Sequence, residues 1–184
     1  MDPPPRSENK VSGPLPSPEA REAALYQRLE AIGIDWKTHG HAPAYTVEQA
    51  RALRGALPGG HTKNLFLKDR KGGLWLIVLR ENLRLDLNAL ARQLGSPRFS
   101  FGASDLLAAT LGVPPGAVTP FALLNDRAGN VRVVLDEDML RLDPLNFHPL
   151  RNDKTTAIAA SDLLRFVDAC GHAAIVARMP ELAR

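Results

Sequence analysis

Apolar residues near the start of the chain recur every three or four positions, which is the spacing of a helix with one buried face. The helix is predicted to begin at Pro18, because Ser17 can cap its first turn and Glu19 faces the positive end of its dipole. Its apolar stripe consists of Leu25, Leu29 and Ile32. Gly33 then predicts the end of the helix.

Four further helices are predicted from their start and stop signals. Thr46 and Gln49 have capping-box spacing, and this helix runs to Gly55. In the middle of the chain, caps and terminating glycines predict two helices: Asp86 through Leu94 before Gly95, and Ser104 through Leu111 before Gly112. Ser161-Asp162 opens the last helix.

Strands are indicated by alternation or by continuous apolar runs. Residues 34–38 alternate as a half-buried strand should. Asn64–Asp69 and Leu74–Leu79 predict a hairpin across 70–73, a turn that contains two glycines. The second run is wholly apolar, so we expect it at the centre of a sheet that is covered on both faces.

Two more hairpins are predicted in the second half of the chain. One joins Phe121–Leu124 to Val131–Leu135 across 125–130, and the other joins Leu145–Pro149 to Thr155–Ala159 across 151–153. Antiparallel hairpins with short helices between them predict an α+β fold, a single domain with a curved, mixed, largely antiparallel and barrel-like sheet.

Composition limits the kind of protein. The 184 residues are 45% hydrophobic and 23% charged, which suits one globular domain. A net charge of +3 permits a polyanionic partner without the basic stripe of a protein that binds nucleic acid by charge alone. Cys170 is the only cysteine, so no internal disulfide can form and we expect a reducing, cytoplasmic compartment. Apolar runs of membrane-spanning length and a secretory signal pattern are both missing.

The first sixteen residues are rich in proline and poor in apolar side chains, so we expect a flexible tail there and an ordered domain over 17–184. An alternative is a basic arm that touches nucleic acid. Its two cations, Arg6 and Lys10, are matched by Asp2 and Glu8, which weighs against that alternative.

The most informative polar residue is Lys63, which enters a predicted strand just after Gly59-Gly60. Glycines allow close approach of a ligand to the backbone, and the strand fixes where the ammonium points. A fixed ammonium favours a phosphate or carboxylate partner. The alternative is a solvated lysine that protects a sheet edge.

A second candidate is the loop 112–120, which contains three prolines. Prolines restrict the backbone, so the loop could form the wall of a binding pocket at low entropic cost. The alternative is a rigid connector that only reverses the chain.

A third candidate is His148, whose backbone is kept extended by Pro149. It could bind substrate or orient a water, or it could be a packed imidazole. The other histidines lack metal-ligand spacing, so we expect no metal site: His39, His41, His61 and His172. Nucleotide-binding and serine-hydrolase motifs are also missing, which predicts neither a cofactor nor covalent catalysis.

These features occur in an order that resembles the prolyl-tRNA editing family, which includes the YbaK proteins and the insertion domain of bacterial prolyl-tRNA synthetases. The resemblance rests on four segments and covers about 17–178: Ala42–Thr46, His61–Leu67, Leu111–Pro120 and Leu145–Leu150. It is strongest to the free-standing, alanyl-specific ProX or PrdX branch. The Gly-Gly-Ile-Ser-Pro loop of the cysteinyl-specific branch is absent.

The resemblance implies a trans-editing hydrolase that cleaves the ester between alanine and the terminal adenosine of a mischarged proline tRNA. Lys63 would hold the phosphate or ribose of that adenosine, Asn64 would add a directed amide, and His148 would orient substrate or water. A protein nucleophile is not required, because an aminoacyl ester is already activated and can be attacked by water.

The resemblance also implies how alanine is selected. A synthetase pocket built for proline rejects a smaller side chain by only about 1–3 kcal/mol per methylene, so a second pocket that excludes proline by size corrects the error. Substrate-binding residues would be Tyr45, Gly112, Pro115, Gly116, Ala117, Val118 and Thr119. The size-excluding wall would include Leu53, Val118 and the region of Tyr45.

The implied partner is tRNA(Pro) charged with alanine, with prolyl-tRNA synthetase as a further candidate and with neither DNA nor a membrane expected. Phosphate contacts would come from Lys68, Arg80, Arg84 and Arg98. Two other functions stay open: a non-catalytic module that binds a tRNA end or nucleotide, and a deacylase for cysteinyl- or seryl-tRNA.

Overall fold

A computed structural model describes residues 13–43, 45–54 and 57–183, without the side chains at positions 47, 50, 53 and 54. Of the predicted tail, which covers residues 1–16, residues 1–12 therefore lie outside the described part of the chain. The predicted helix end at Gly55 and the side chain of Leu53 lie outside them as well.

Five α-helices are present in the described part of the chain: α1 (Pro18–Ala31), α2 (Val47–Arg54), α3 (Leu87–Gln93), α4 (Ser104–Leu111) and α5 (Ala160–Ala169). Short 3-10 helices span Pro120–Asn125 and Met139–Arg141. Among the described residues, no helix combines the length and the apolar character needed to cross a membrane.

The described ranges also contain eight strands: β1 (Lys37–Gly40), β2 (Gly60–Asp69), β3 (Leu74–Arg80), β4 (Phe99–Phe101), β5 (Val131–Asp136), β6 (Leu145–Phe147), β7 (Lys154–Ile158) and β8 (Ala174–Ala177). They form one sheet in the order β1-β7-β6-β2-β3-β5-β8, and β4 pairs with β2 off this path. Strand β2 runs antiparallel to β3 and β4 and parallel to β6, while β3 and β5 are parallel. The predicted α+β class with a mixed sheet is confirmed.

The capping predictions were accurate at three helix starts. The Ser17 hydroxyl accepts from the Ala20 amide, the Thr46 hydroxyl accepts from the Gln49 amide, and the Asp86 carboxylate accepts from two amides of the first turn of α3. At α4 the prediction was wrong. Ala103 is the N-cap residue there, and it has no side chain with which to cap.

Strand β3 lies inside the sheet, as its apolar sequence predicts. Leu76 and Val78 belong to one core cluster, which is packed by α1, α4 and α5. Trp75, Ile77 and Leu79 belong to a second cluster, which is packed by α3. Burial on both faces explains why this strand shows no alternation.

The hairpin of β2 and β3 is confirmed, and Asp69 stabilises its turn. Asp69 is only 5% exposed and accepts from the amides of Lys71 and Gly73 and from the indole of Trp75. Burial raises the pKa of this carboxyl, but the hydrogen bonds outweigh burial and hold the pKa below its ordinary value.

The predicted hairpin of Phe121–Leu124 with Val131–Leu135 was wrong. Thr119 caps Pro120–Asn125, in which proline occupies the start of a 3-10 helix, and β5 instead pairs in parallel with β3. Burial of Phe121, Ala122 and Leu123 explains the misassignment, because a fully buried helical turn reads like a buried strand.

Smaller corrections concern strand boundaries. The first strand is Lys37–Gly40, not residues 34–38, because Ile34 packs in the core before the strand begins. The hairpin of β6 and β7 is confirmed, but β6 ends at Phe147 and leaves His148 just beyond it. Strands β4 and β8 span only three and four residues and were not predicted.

One edge of β2 is incompletely paired, and this gap positions the site. On the side away from β3, β6 pairs with residues 60–61 and β4 with residues 67–69. Between them, from Thr62 to Phe66, no strand among the described residues is in register with that edge. By the alternation of an antiparallel ladder, the main-chain groups of Asn64 point into this gap.

Candidate active site

A cavity of about 200 Å³ opens at the gap in the edge of β2; we call it the edge cavity. Its lining combines β2, the start of α2, the loop 114–118 and the hairpin of β6 and β7. The sequence-predicted residues that it brings together are Lys63, Asn64, His148, Tyr45, Gly116 and Val118. Residues far apart in the chain therefore meet at one sheet edge.

Lys63 is half-buried, and its Nζ donates a hydrogen bond to the carbonyl oxygen of Leu83 at 2.5 Å. Burial lowers the pKa of this amine, and the nearby carboxylate of Glu81 opposes that shift. The lysine is therefore positioned by its strand and by one carbonyl, as expected for a fixed cation.

Asn64 presents an unsatisfied acceptor. Its Oδ1 is buried and has no hydrogen-bond partner in the described part of the structure. A buried polar group without a partner costs free energy, so such an atom in a cavity indicates a missing donor. The amide is therefore suited to accept a hydrogen bond from a bound molecule.

Asn146 lines the edge cavity and was not singled out as a candidate residue from the sequence. Its side-chain amide donates to the carbonyl oxygens of Pro58 at 3.0 Å and Gly60 at 3.2 Å, while its own carbonyl accepts from the Thr62 hydroxyl at 2.9 Å. These bonds hold β6 against the start of β2. A polar residue within a short apolar strand was the available signal.

His148 is oriented by the hairpin that carries it. Its Nδ1 lies 3.0 Å from the carbonyl oxygen of Lys154, which can only accept, so Nδ1 carries the proton. In the neutral ring Nε2 is then the acceptor. His41 lies nearby, with ring centroids 6.3 Å apart, and its Nε2 is 2.9 Å from the hydroxyl of Thr155.

The hairpin is anchored to α1 by ionic contacts. Glu22 is buried and bonds Lys154 Nζ at 2.7 Å and Arg151 at 3.0 Å, and Arg151 also pairs with Asp153. Burial raises the pKa of Glu22, but the contact with Lys154 and the neighbouring groups lower it overall. The backbone carbonyl of Lys154 accepts the hydrogen bond from His148, so this network of side chains fixes the segment that orients the imidazole.

Glu81 was not singled out from the sequence, although it lines the cavity. It follows β3, its amide donates to the carbonyl oxygen of His61, and its carboxylate pairs with Arg51 of α2 at 3.0 Å. It thus joins α2 to the body of the protein and places a negative charge near Lys63. Two successive charged residues, Arg80 and Glu81, at the end of the apolar run of β3 were the signal for it.

The loop 112–119 divides into residues that reach the site and residues that do not. Gly116 and Val118 line the edge cavity, and Pro115 lies with them in an adjoining recess of about 190 Å³. Ala117 and Thr119 are buried at 1% and 0% exposure, and Gly112 ends α4 in a left-handed conformation away from the cavity.

That adjoining recess, which we call the apolar recess, shares Asn64, Gly116 and Val118 with the edge cavity. Its remaining walls are mostly apolar: Leu65, Phe66, Phe101, Gly102, Leu107 and Pro115, together with Ser104. A polar compartment and an apolar compartment therefore meet at Asn64.

The four predicted phosphate-binding cations differ in their surroundings. Lys68, Arg84 and Arg98 are exposed. Arg80 instead bonds Asp136 at 2.7 Å and Asp138 at 3.3 Å, and although burial opposes the shift, these partners raise its pKa. Arg80 therefore serves ion pairs within the protein, and the other three remain accessible to a phosphate.

Metal ligands are not clustered in the described ranges: no three histidine, cysteine or acidic side chains there are grouped to hold an ion. The polar side chains that line the edge cavity include a lysine, an asparagine and a histidine.

Comparison with known proteins places this arrangement in a family. The family model for the aminoacyl-tRNA editing domain matches residues 41–166. The chain is 38% identical over 159 residues to prolyl-tRNA synthetase associated domain-containing protein 1 of Bos taurus, covering 84% of this chain and 92% of the relative. It is 32% identical over 155 residues to the prolyl-tRNA editing protein ProX of Acetoanaerobium sticklandii, covering 84% and 94%.

A solved structure described as hypothetical protein APE2540 has a similar fold, with a TM-score of 0.67, 26% identity, and coverage of 84% of this chain and 97% of that one. The family match spans every segment that lines the edge cavity. The chain therefore belongs to the aminoacyl-tRNA editing domain family, within its prolyl-tRNA editing group, and is an aminoacyl-tRNA deacylase.

Proposed function

We propose that this protein hydrolyses alanyl-tRNA(Pro) in trans, with the terminal alanyl-adenosine seated in the edge cavity. The observation that carries the proposal is the buried, unpaired Oδ1 of Asn64 at the junction of a polar and an apolar compartment. An aminoacyl ester brings both groups that such a junction needs: an α-ammonium donor for the amide oxygen and a side chain for the apolar recess.

Lys63 holds the sugar-phosphate end of the substrate. Its ammonium is fixed at the cavity by the Leu83 carbonyl, and a fixed ammonium binds phosphate or ribose oxygens through charge-assisted hydrogen bonds. Lowering of its pKa by burial supports a position in a partly dry site, where electrostatic contacts are stronger than in water.

His148 orients the attacking water through Nε2, since Nδ1 is engaged by the Lys154 carbonyl. The water oxygen bonds to the ester carbonyl carbon, the bond to the ribose oxygen breaks, and the water proton passes to that ribose oxygen. Alanine and tRNA with a free terminal hydroxyl are the products. Because the ester is activated, orientation supplies much of the rate enhancement.

Backbone amides at Gly116 and Val118 are the candidates to stabilise the carbonyl oxygen as it gains charge. Both residues line the cavity. The amide of Ala117 already donates to the Pro114 carbonyl at 3.2 Å and is not a candidate.

Selection of alanine follows from the size of the apolar recess. Val118 lines both compartments, and the buried side chains of Phe66 and Leu107 line the recess. We expect a methyl group to fit beside these side chains at little cost, and we expect the pyrrolidine ring of an ester held by its adenosine to overlap them. Proline is therefore excluded by steric overlap and not by charge.

Contact with the rest of the tRNA is assigned to the exposed cations Lys68, Arg84 and Arg98, which meet phosphates without reading sequence. Tyr45 is 71% exposed at the mouth of the edge cavity and offers a face to the terminal adenine. Prolyl-tRNA synthetase is the candidate donor of the mischarged tRNA.

The test is a panel of alanyl-, prolyl-, cysteinyl- and seryl-tRNA incubated with the purified chain, with release of the amino acid followed over time. We expect rapid loss of alanine from tRNA(Pro) and no loss of proline. Faster release of cysteine or serine would reassign the substrate. Release at the rate of buffer for all four would indicate a module that binds a tRNA end without cleaving it.

A further inference from the structure

We infer that Phe101 is a stacking platform for the base of the nucleotide that precedes the terminal adenosine. The inference rests on the proposed function and extends it, because it names a binding position for the unpaired RNA end outside the edge cavity. The ligand class is an unpaired nucleobase in single-stranded RNA.

The exposure of Phe101 is the first observation. It is 68% exposed, although it lies on a strand and lines the apolar recess. Phe99, two residues earlier, is buried at 7% and packs edge-on against Trp75 with ring centroids 5.4 Å apart. The same strand therefore has one aromatic ring in the core and one at the surface beside the site.

Rigidity of the backbone at Phe101 is the second observation. The next residue, Gly102, donates its amide to the Phe66 carbonyl at 2.9 Å. A Cβ at Gly102 would fall 2.3 Å from the Phe66 ring, so only glycine allows this approach. The platform is thus held in place before a ligand arrives, which limits the entropy lost on binding.

The distance from the site agrees with one nucleotide. Phe101 lies opposite Leu67, three residues along β2 from Asn64, which corresponds to about 10 Å of extended strand. A terminal adenosine held at the edge cavity by Lys63, with the α-ammonium of its aminoacyl group at Asn64, leaves the preceding nucleotide within reach of this ring. The base of a more distant nucleotide would not need a platform so close to the cavity.

Charge near the ring matches a phosphate-bearing ligand. Lys68 and Arg98 are exposed, Lys68 is in register with Ser100 beside Phe101, and Arg98 directly precedes β4. By strand alternation Lys68 leaves the sheet on the face opposite the Phe101 ring, so a base can stack on the ring while the RNA backbone passes the cation at the strand edge. Single-stranded nucleic acid sites combine an aromatic ring for the bases with cations for the backbone in this way. An apolar protein partner would have no use for these cations.

The experiment compares two small substrates, alanyl-adenosine and an alanyl ester of cytidylyl-adenosine, with the full chain and its variants. We expect kcat/KM of the parent to rise when the cytidine is added. Phe101→Ala should remove this gain, so that the ratio of kcat/KM on the dinucleotide ester to kcat/KM on alanyl-adenosine falls by about 5- to 100-fold. Phe101→Trp should restore the gain.

Leu164→Ala is the matched control, because Leu164 is exposed at 41% on α5 and lies outside both compartments. It should behave as the parent on both substrates. Equal activity of Phe101→Ala and the parent on the dinucleotide ester would overturn the inference, and so would equal losses on both esters.

A binding measurement separates this inference from the proposed function. An RNA oligonucleotide that carries no amino acid and has 2-aminopurine before its terminal adenosine reports stacking, because stacking quenches the fluorescence of 2-aminopurine. We expect quenching with the parent and with Phe101→Trp, and its loss with Phe101→Ala. Quenching without hydrolysis of any ester would support stacking on Phe101 and contradict the proposed hydrolysis. Hydrolysis without quenching would contradict stacking on Phe101 and leave the proposed hydrolysis intact.

Discussion

Lys63 and Asn64 are neighbours on β2, yet their side chains leave the strand on opposite faces of the sheet. Lys63 bonds the Leu83 carbonyl on the face of the second core cluster, whereas Asn64 shares its face with Phe66 of the first cluster. Both line one cavity because that cavity opens at the unpaired edge of the strand. A bound ester would therefore straddle the edge, with its phosphate on one side and its aminoacyl group on the other.

Replacement of the fixed cation should abolish catalysis without unfolding the protein. For Lys63→Ala we expect kcat/KM for alanyl-tRNA to fall by about 100-fold or more, because a charge-assisted contact in a partly buried site contributes several kcal/mol. Lys68→Ala, five residues along the same strand and exposed, is the control and should lower binding only slightly. Unchanged turnover by Lys63→Ala would remove its assignment.

The dependence of activity on pH should report the charge of Lys63. Burial lowers its pKa, so activity should decline with rising pH before an ordinary lysine, with a pKa near 10.4, would lose its proton. Glu81 raises that pKa, and Glu81→Gln should therefore move the decline to lower pH. Arg51, which pairs with Glu81, retains its own charge in this variant.

The control for that shift is Glu48→Gln, a change of the same charge on the exposed surface of α2. Rates must be corrected for hydrolysis of the ester in buffer at each pH. A decline that stays in place in Glu81→Gln, or moves to higher pH, would contradict an ammonium role for Lys63.

Removal of the water-orienting imidazole should cause a partial loss. For His148→Ala we expect kcat to fall by about 10- to 100-fold with little change in KM, because a group that orients water contributes less than one that fixes the substrate. His39→Ala on β1, which is not part of the cavity lining, is the control. A larger effect on KM than on kcat would instead indicate that His148 binds the substrate.

Shortening the side chain between the two compartments should relax the selectivity for alanine over larger aminoacyl groups. Val118→Ala is expected to raise hydrolysis of 2-aminobutyryl- and prolyl-tRNA relative to alanyl-tRNA by about 10-fold, the value of one or two methylene groups. Val176→Ala, at an exposed position of β8, should leave the profile unchanged. An unaltered profile in Val118→Ala would exclude this residue from the wall.

The turn between β2 and β3 should be a site of acid sensitivity. Because the pKa of Asp69 is held below its unfolded value, this carboxyl stabilises the fold above about pH 4, and the stabilisation is lost as pH falls through the lower folded pKa. Asp69→Asn should lower the free energy of unfolding at pH 7 by about 2 kcal/mol. It should also make the free energy of unfolding, measured with urea, fall less steeply as the pH is lowered. A decrease of the unfolding free energy with falling pH that is as steep in Asp69→Asn as in the parent would contradict this role of Asp69.

Local signals were sufficient wherever the interacting groups lie within a few residues of one another. The Ser17 and Asp86 caps and the turn at 70–73 are such cases, since each is fixed by hydrogen bonds between residues two to four positions apart. The apolar run of β3 likewise predicted a strand covered on both faces, because its apolar side chains point to both faces of the sheet. The segments resembling the editing family predicted that Lys63, Asn64 and His148 belong to one site.

Pairings between distant segments were decided only by the tertiary structure. The parallel match of β3 with β5, the gap at the edge of β2 and the ion pair of Arg80 with Asp136 each join residues that many intervening positions separate. A sequence pattern states which face of an element is apolar but not which partner will cover it, because several partners satisfy the same pattern. Burial of Ala117 and Thr119, the contact of Glu81 with Arg51 and the exposure of Phe101 follow from that choice of partners.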